Sequence, residues 1–308
     1  MNEREFLKVL ITKRGIILYD IHADSFDYLE KKFRTDEDVA VNDYFKATYS
    51  PQDGKRLDDI EFYRLNINQM HIPEWYEGKK KKAIEFLLNH LIRGMIVTNN
   101  RDIMGEGVIL TGKANIDIAQ HSVIFAMYEK AKIEFVDANT EIWEMTDGAS
   151  VGVLKDNSIV YKMYGYSKVK NMRDNSRVIL LYGQAKVGEM YDNSRIKTLK
   201  GDAKIVEMHE GAEAKQLRHM SKVKEMHGDT YIDEMWDWTK VEKMFDNARI
   251  GYMDDDAKVG KMYGNAMVEY MAGNTVVEHL YQDSIVKKLV DKAKILKQEL
   301  ENKKNEEE

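Results

Sequence analysis

Hydrophobic and polar positions follow a nine-residue rhythm that runs without insertion from Ser122 to Lys292, nineteen units in all. The first position of every unit is Ala, Ser or Thr. The third is Val or Ile except at Ala214, and the sixth is Met or Leu except at Val136. Fixed self-similarity of this kind marks an array of stacked units. Nine residues are too few for a helical hairpin, and the β-branched third position favours a strand. The units end in pairs such as Asp156-Asn157, Asp174-Asn175, Asp192-Asn193, Asp246-Asn247 and Gly264-Asn265, residues that accept turn conformations. Positions one and three share a face by strand alternation. Position six faces inward as well only if the backbone bulges between three and six.

Residues eighteen apart resemble each other more than residues nine apart. Alternate units carry Lys168, Lys186, Lys204, Lys222, Lys240 and Lys258 at the second position, and Tyr191, His209, His227, Phe245, Tyr263 and Tyr281 at the seventh. The intervening units hold Ile159, Arg177, Arg195, Glu213, Tyr231, Arg249 and Met267 at the second position. Two units per coil keep these classes apart, whereas three would mix them. The sequence therefore predicts a mainly β fold, a two-sided β-solenoid with about 18 residues per coil. At about 4.8 Å per coil, nine to ten coils make a rod of roughly 45 Å.

The rest of the chain follows other patterns. Residues 1–102 contain both prolines, Pro51 and Pro73, and lack the repeat. Val9-Leu10-Ile11 and Ile16-Ile17-Leu18-Tyr19 flank Lys13-Arg14-Gly15 as a β-hairpin would. Ser25–Phe33 and Lys79–Ile92 have helical spacing. These features predict a small α/β domain that covers one open end of a solenoid spanning 103–291. Beyond it, Leu289, Ala293, Leu296 and Leu300 are spaced as on a helix. A charged C-terminal helix over 292–308 is expected, either shielding the terminal coil, whose edge is otherwise unpaired, or pairing two copies as a homodimer.

Composition adds boundaries. Charged residues make up 32% of the chain and mean hydropathy is −0.55, so a soluble protein with no membrane partner is expected. The opening Met1-Asn2-Glu3-Arg4-Glu5 does not read as a signal peptide, which points to the cytoplasm. Cysteine is absent, so neither disulfides nor thiolate metal sites arise. A net charge of −6 is too mild to select a nucleic-acid partner by itself.

The sharpest surface feature is the row of six lysines. Glu189, Glu207 and Glu225 lie three residues after Lys186, Lys204 and Lys222 and are the expected neutralisers. The row reads either as a solvated face or as a stripe for phosphates or an acidic partner. Arg177, Arg195 and Arg249 repeat the theme on the other face. The aromatic row reads as a stacking ladder, or as a strip for bases or sugars. Trp236 and Trp238, on the opposite corner, would extend an exposed spot. Calcium needs more oxygen ligands than each turn offers, and the twelve methionines at position six interchange with Leu, as core residues do. No cofactor or metal is expected. His22 with Asp24, and His71 with Glu74, are the close His–carboxylate pairs of the first domain, and no nucleophile or phosphate-loop motif accompanies them. The tetralysine Lys79–Lys82 opens a predicted helix, where cations are disfavoured.

Strings such as Ala185-Lys-Val-Gly-Glu-Met-Tyr-Asp-Asn193 and Ala257-Lys-Val-Gly-Lys-Met-Tyr-Gly-Asn265 resemble the short-repeat β-solenoid proteins of phages and mobile elements, and more loosely the pentapeptide-repeat solenoids. The resemblance covers a little over half of the chain and implies a fold, with no functional residue to carry over. The expected function is a non-catalytic rod that presents a face to another protein or a polyanion, as an inhibitor of a host protein would. An enzyme or small-ligand protein with its site in the first domain is the alternative from another class, and a structural phage component is a third.

Overall fold

Why nine residues suffice for a unit is visible in the strand edges. The computed structural model describes residues 96–299 throughout, together with the backbone of four strands nearer the N-terminus and the isolated residues Lys82 and Gly94. Those four strands, β1 (Val9–Thr12), β2 (Gly15–Ile21), β3 (Phe45–Pro51) and β4 (Tyr63–Ile67), form an antiparallel sheet in chain order. The hairpin expected around Lys13-Arg14-Gly15 is present, with Leu10 opposite Ile17 and Thr12 opposite Gly15. The helices expected at 25–33 and 79–92, and the two His–carboxylate pairs, lie outside the described residues apart from Lys82.

From Ile96 to Glu299 the chain winds as a β-solenoid with two parallel sheets of twelve strands each. One sheet contains Lys168–Met172, Lys186–Met190, Lys204–Met208, Lys222–Met226, Lys240–Met244 and Lys258–Met262, and is called the lysine sheet below. The opposite sheet alternates with it along the chain, through strands such as Glu141–Met145, Tyr231–Met235 and Arg249–Met253. Every strand pairs with the strand one coil away. Lys204 lies opposite both Lys186 and Lys222, and Met208 opposite Met190 and Met226, so a coil of the repeat is eighteen residues long, while the first coils are shorter, with Ile96 opposite Ile109 and Gly107 opposite Val123.

The core is one narrow column. Position three (Val187, Ile205, Val223) and position six (Met190, Met208, Met226) are fully buried on coil after coil, as is the small first position (Ala185, Ala203, Ser221). Between the two apolar positions lie two outward residues, as at Gly188 and Glu189, where plain alternation would give one. The bulge that inward packing requires is therefore built into each unit. Each fully buried Val, Ile or Met contributes about 1.5–3 kcal/mol through lost contact with water.

What turns the chain between sheets is position eight. In all nineteen units this residue has positive φ, between about 49° and 69°. Gly165, Gly183, Gly201, Gly228, Gly264 and Gly273 adopt that conformation freely, while Asp147, Asp156, Asp174, Asp192, Asp237, Asp246, Asp255 and Asp291 tolerate it. The acidic side chains have a second role. Asp192 Oδ2 accepts the backbone N–H of Asp174 at 3.0 Å, Asp246 accepts that of Gly228 at 2.9 Å, and Asp237 accepts that of His219 at 2.8 Å. A turn amide that would otherwise face solvent is thereby bonded by the next coil. Asp192→Ala should lower stability by about 1–2 kcal/mol, because it loses this acceptor and leaves in the left-handed region a Cβ without the short polar group that lets Asp tolerate it. Asp192→Gly loses only the bond and should melt between Asp192→Ala and wild type. Equal melting of the two variants would remove the conformational part of this account.

The C-terminal segment corrects the expected helix. Ile285–Leu289 and Lys294–Glu299 are strands, and the second pairs with Val276–Tyr281 in the solenoid register, Ile295 opposite Val277. Leu289, Ala293 and Leu296 satisfy helical spacing, but Leu289 and Ala293 also fall on positions six and one of the repeat. Ala293, with Val286 and Ile295, packs against the preceding coils as repeat residues do, while Leu289 is exposed. A short charged helix has no comparable surface to bury, and isolated short helices are marginal. No homodimer helix is present over 285–299, and residues 300–308 lie outside the described residues. The terminal strands instead carry Lys287, Lys288, Lys294 and Lys297, charges of the kind that discourage edge-to-edge association.

Candidate functional site

The solenoid places the six lysines in one line. Lys168 pairs with Lys186, Lys186 with Lys204, Lys204 with Lys222, Lys222 with Lys240, and Lys240 with Lys258. At about 4.8 Å per coil the row is roughly 24 Å long. It ends in register with Ser150 on one side and Val276 on the other. Among the described residues, Lys240 reaches Glu278 at 4.0 Å, and the other five have no carboxylate within 4 Å.

The expected neutralisers are engaged elsewhere. Tyr191 donates to Glu189 at 2.6 Å, while His209 and His227 meet Glu207 and Glu225 at 3.2 and 3.4 Å. Lys243 donates to Glu225 at 3.2 Å. The reason is geometric. Position five and position seven flank the inward Met at position six and so share the outer face, whereas positions two and five are about 10 Å apart along the strand. The bond to Glu189, with burial, pushes the Tyr191 hydroxyl above its ordinary range. Burial raises the Glu225 carboxyl, but Lys243, Lys224 and His227 outweigh it and the net direction is downward.

The aromatic row is a continuous stack. Tyr191, His209, His227, Phe245, Tyr263 and Tyr281 follow at centroid spacings of 4.7–5.1 Å with tilts of 6–12°. The Arg173 guanidinium lies 4.8 Å over Tyr191 and closes one end. The ring faces of the inner members are thus occupied by their neighbours, and the ladder offers edges to a visitor. Such a stack stabilises a parallel sheet whose strands are in register.

The two tryptophans differ from each other. Trp236 donates to Glu234 at 3.1 Å, packs on Tyr252 at 5.1 Å and lies under the Arg218 guanidinium at 5.2 Å. Trp238 is 65% exposed, and among the described residues its ring has no aromatic, cationic or hydrogen-bonding partner. It occupies the turn that leads into the lysine sheet, two residues before Lys240, with the buried Thr239 between them. Tyr166, 64% exposed and equally unpartnered, stands in the same way before Lys168, and Met220 before Lys222. The sequence signal for Tyr166 was present in its ninth position, beside the lysine row. On the opposite sheet Arg177 is in register with Arg195, but Arg195 pairs with Glu213 at 3.0 Å, so this second basic theme is short and partly neutralised.

One unusual titrating group escaped the sequence pattern. Glu144 points outward from the opposite sheet yet is only 4% exposed. Burial pushes its carboxyl up to about 7, against the opposing charge of Lys162 one coil on. Tyr164 donates its hydroxyl to Glu144 Oε1, and Tyr164 stacks on Tyr182 at 5.0 Å. The outward Phe125 is also buried, against Trp143 at 5.0 Å, and β1 lies against its strand, Val123–Met127. A shifted carboxyl marks a candidate catalytic acid only in company. Around Glu144 stand aromatic rings and one lysine, a structural setting.

Among the described residues no group of three or more His, Asp or Glu side chains is placed to hold a metal ion, and no helix is long and apolar enough to cross a membrane. Comparison with family models, curated proteins and solved structures finds no match.

Proposed function

We propose that this protein is a non-catalytic binding rod that takes an extended polyanion along the lysine sheet. The observation that carries the reading is the row from Lys168 to Lys258, six cations in register, five of them without a carboxylate partner among the described residues. Like charges directly opposite one another on neighbouring strands are destabilising. The repeat does not require them, since the same position in the opposite sheet is Ile159, Glu213, Tyr231 or Met267. A linear anion relieves the repulsion by replacing the counterions that the row gathers.

Inorganic polyphosphate, a linear anion without other chemistry, tests the reading. Replacing Lys186, Lys204, Lys222 and Lys240 by Gln removes four charges while keeping most of the side-chain length. Affinity should fall at low salt, and the slope of log K against log salt should flatten by up to about three. The melting temperature should hold, because exposed charges of this kind contribute little to folding. Wild-type affinity and slope in the variant would show that the row is not the binding face.

A further inference from the structure

The polyanion reading leaves Trp238 and Tyr166 unexplained. They are the two most exposed aromatic side chains among the described residues, at 65% and 64%. Elsewhere on the rod, aromatic rings are largely engaged: Tyr191 to Tyr281 in one stack, Tyr164 on Tyr182, Trp236 on Tyr252, Tyr252 on Tyr270. Trp238 and Tyr166 have no aromatic or cationic partner among the described residues. Both stand at the same corner of the coil, each two residues before a member of the lysine row, with one buried small residue between. In each coil the turn hands the chain to the lysine strand within two residues. The corner row therefore runs alongside the lysines as Tyr166, Gln184, Asp202, Met220, Trp238 and Asp256.

We propose that this edge is a track for single-stranded nucleic acid, in which the lysines follow the phosphates and Trp238 and Tyr166 stack on bases. The proposal rests on the reading of the lysine row as the anion-binding face and names the anion. Unpaired cations beside open aromatic faces are the combination that single strands meet, since every base presents a π-face. The two rings are four coils apart, about 19 Å, which suits contact at separate nucleotides of one strand. A duplex fits less well. Its phosphates wind around an axis while the row is straight, and its paired bases have no faces to offer. An acidic polypeptide would match the lysines and leave the rings without a role. Asp202 and Asp256 narrow the positive stripe within the corner row and bias contact toward the Tyr166 and Met220–Trp238 sectors.

Binding of a labelled oligothymidylate of about twelve nucleotides to the full chain, at about 50 mM salt, tests the proposal. Competitors are a duplex of equal length, inorganic polyphosphate and polyglutamate. The single strand should bind more tightly than any competitor. Trp238→Ala should weaken it by about five- to a hundredfold, leave polyphosphate binding unchanged and leave the circular-dichroism melt unchanged, and Trp238→Phe should restore much of the loss. Tyr166→Ala should act in the same direction. If polyphosphate binds as well as the oligonucleotide and Trp238→Ala has no effect, the stacking track is wrong and the lysine-row reading stands. A preference for the duplex or for polyglutamate overturns the single-strand assignment in the same way. If none of the four anions binds, both readings fall.

Discussion

Met208→Asp should abolish the folded rod. Met208 is fully buried between Met190 and Met226, in a column that contains no carboxylate from coil to coil. The substitution removes a buried apolar side chain, worth about 2–5 kcal/mol. It also places an acid where no partner can reach it, at a further cost of several kcal/mol. Stacked repeats are stabilised chiefly by their neighbours, so a failed coil in the middle weakens both halves. Loss of the far-ultraviolet β signal, or aggregation on a sizing column, is the expected result. Met208→Leu is the control. Leu already occupies the row at Leu154, Leu181, Leu199, Leu217 and Leu280, and a volume-conserving swap costs less than about 1.5 kcal/mol. A soluble Met208→Asp chain with wild-type melting would mean that the column is not the core.

The second large effect is on pH dependence. Folded Glu144 holds its proton up to about pH 7, against an ordinary value of 4.5. Between those values the folded chain binds more protons than the unfolded one. Stability contributed by this group is therefore complete below about pH 4.5, declines as pH rises through the window, and is gone above about pH 7. The decline is on the order of 3 kcal/mol. Glu144→Gln keeps an acceptor for Tyr164 and cannot ionise. It should match wild type near pH 4.5 and melt well above it at pH 8. Parallel melting curves for the two proteins across pH 4.5–8 would show that Glu144 is not held protonated. Lys162, Tyr164 and Tyr182 face the same site.

Periodicity made most of the solenoid legible. Up to the last unit, where Val286 is half-buried and Leu289 exposed, the small, β-branched and Met/Leu positions are buried, and the eighteen-residue parity of the lysines matches the coil, because both report on the same repeating contact. The β1–β2 hairpin was legible from a local turn. Other features depend on neighbours across coils and leave weaker traces. The ninth-position Asn and Asp drew attention to the turns, yet the eighth position makes them: its identity varies among Gly, Asp, Glu, His, Gln and Ala, and only positive φ is constant. Glu189, Glu207 and Glu225 stand three residues from lysines in sequence, but bulge geometry gives them to the aromatic ladder. The C-terminal strands were hidden because Leu289 and Ala293 satisfy two periods at once. Glu144 carried no sequence signal, since an outward position becomes buried only through what surrounds it. Likewise Trp236 and Trp238 are indistinguishable as letters, and separate only when Arg218, Glu234 and Tyr252 are seen to hold the first.

The contacts that position-eight carboxylates make with turn amides one coil away all point one way. Asp174 accepts from Asp156, Asp192 from Asp174, and Glu210 from Asp192, each later coil bonding the amide of the one before. At each such turn, a chain emerging from the ribosome therefore leaves an amide open that the next eighteen residues to appear close. No contact within the array has to wait for a distant segment, which is the condition for fast folding and short exposure of sticky edges. The rod has the character of a ratchet: synthesis itself sets the direction in which order spreads, and each finished coil becomes the template on which the next is laid.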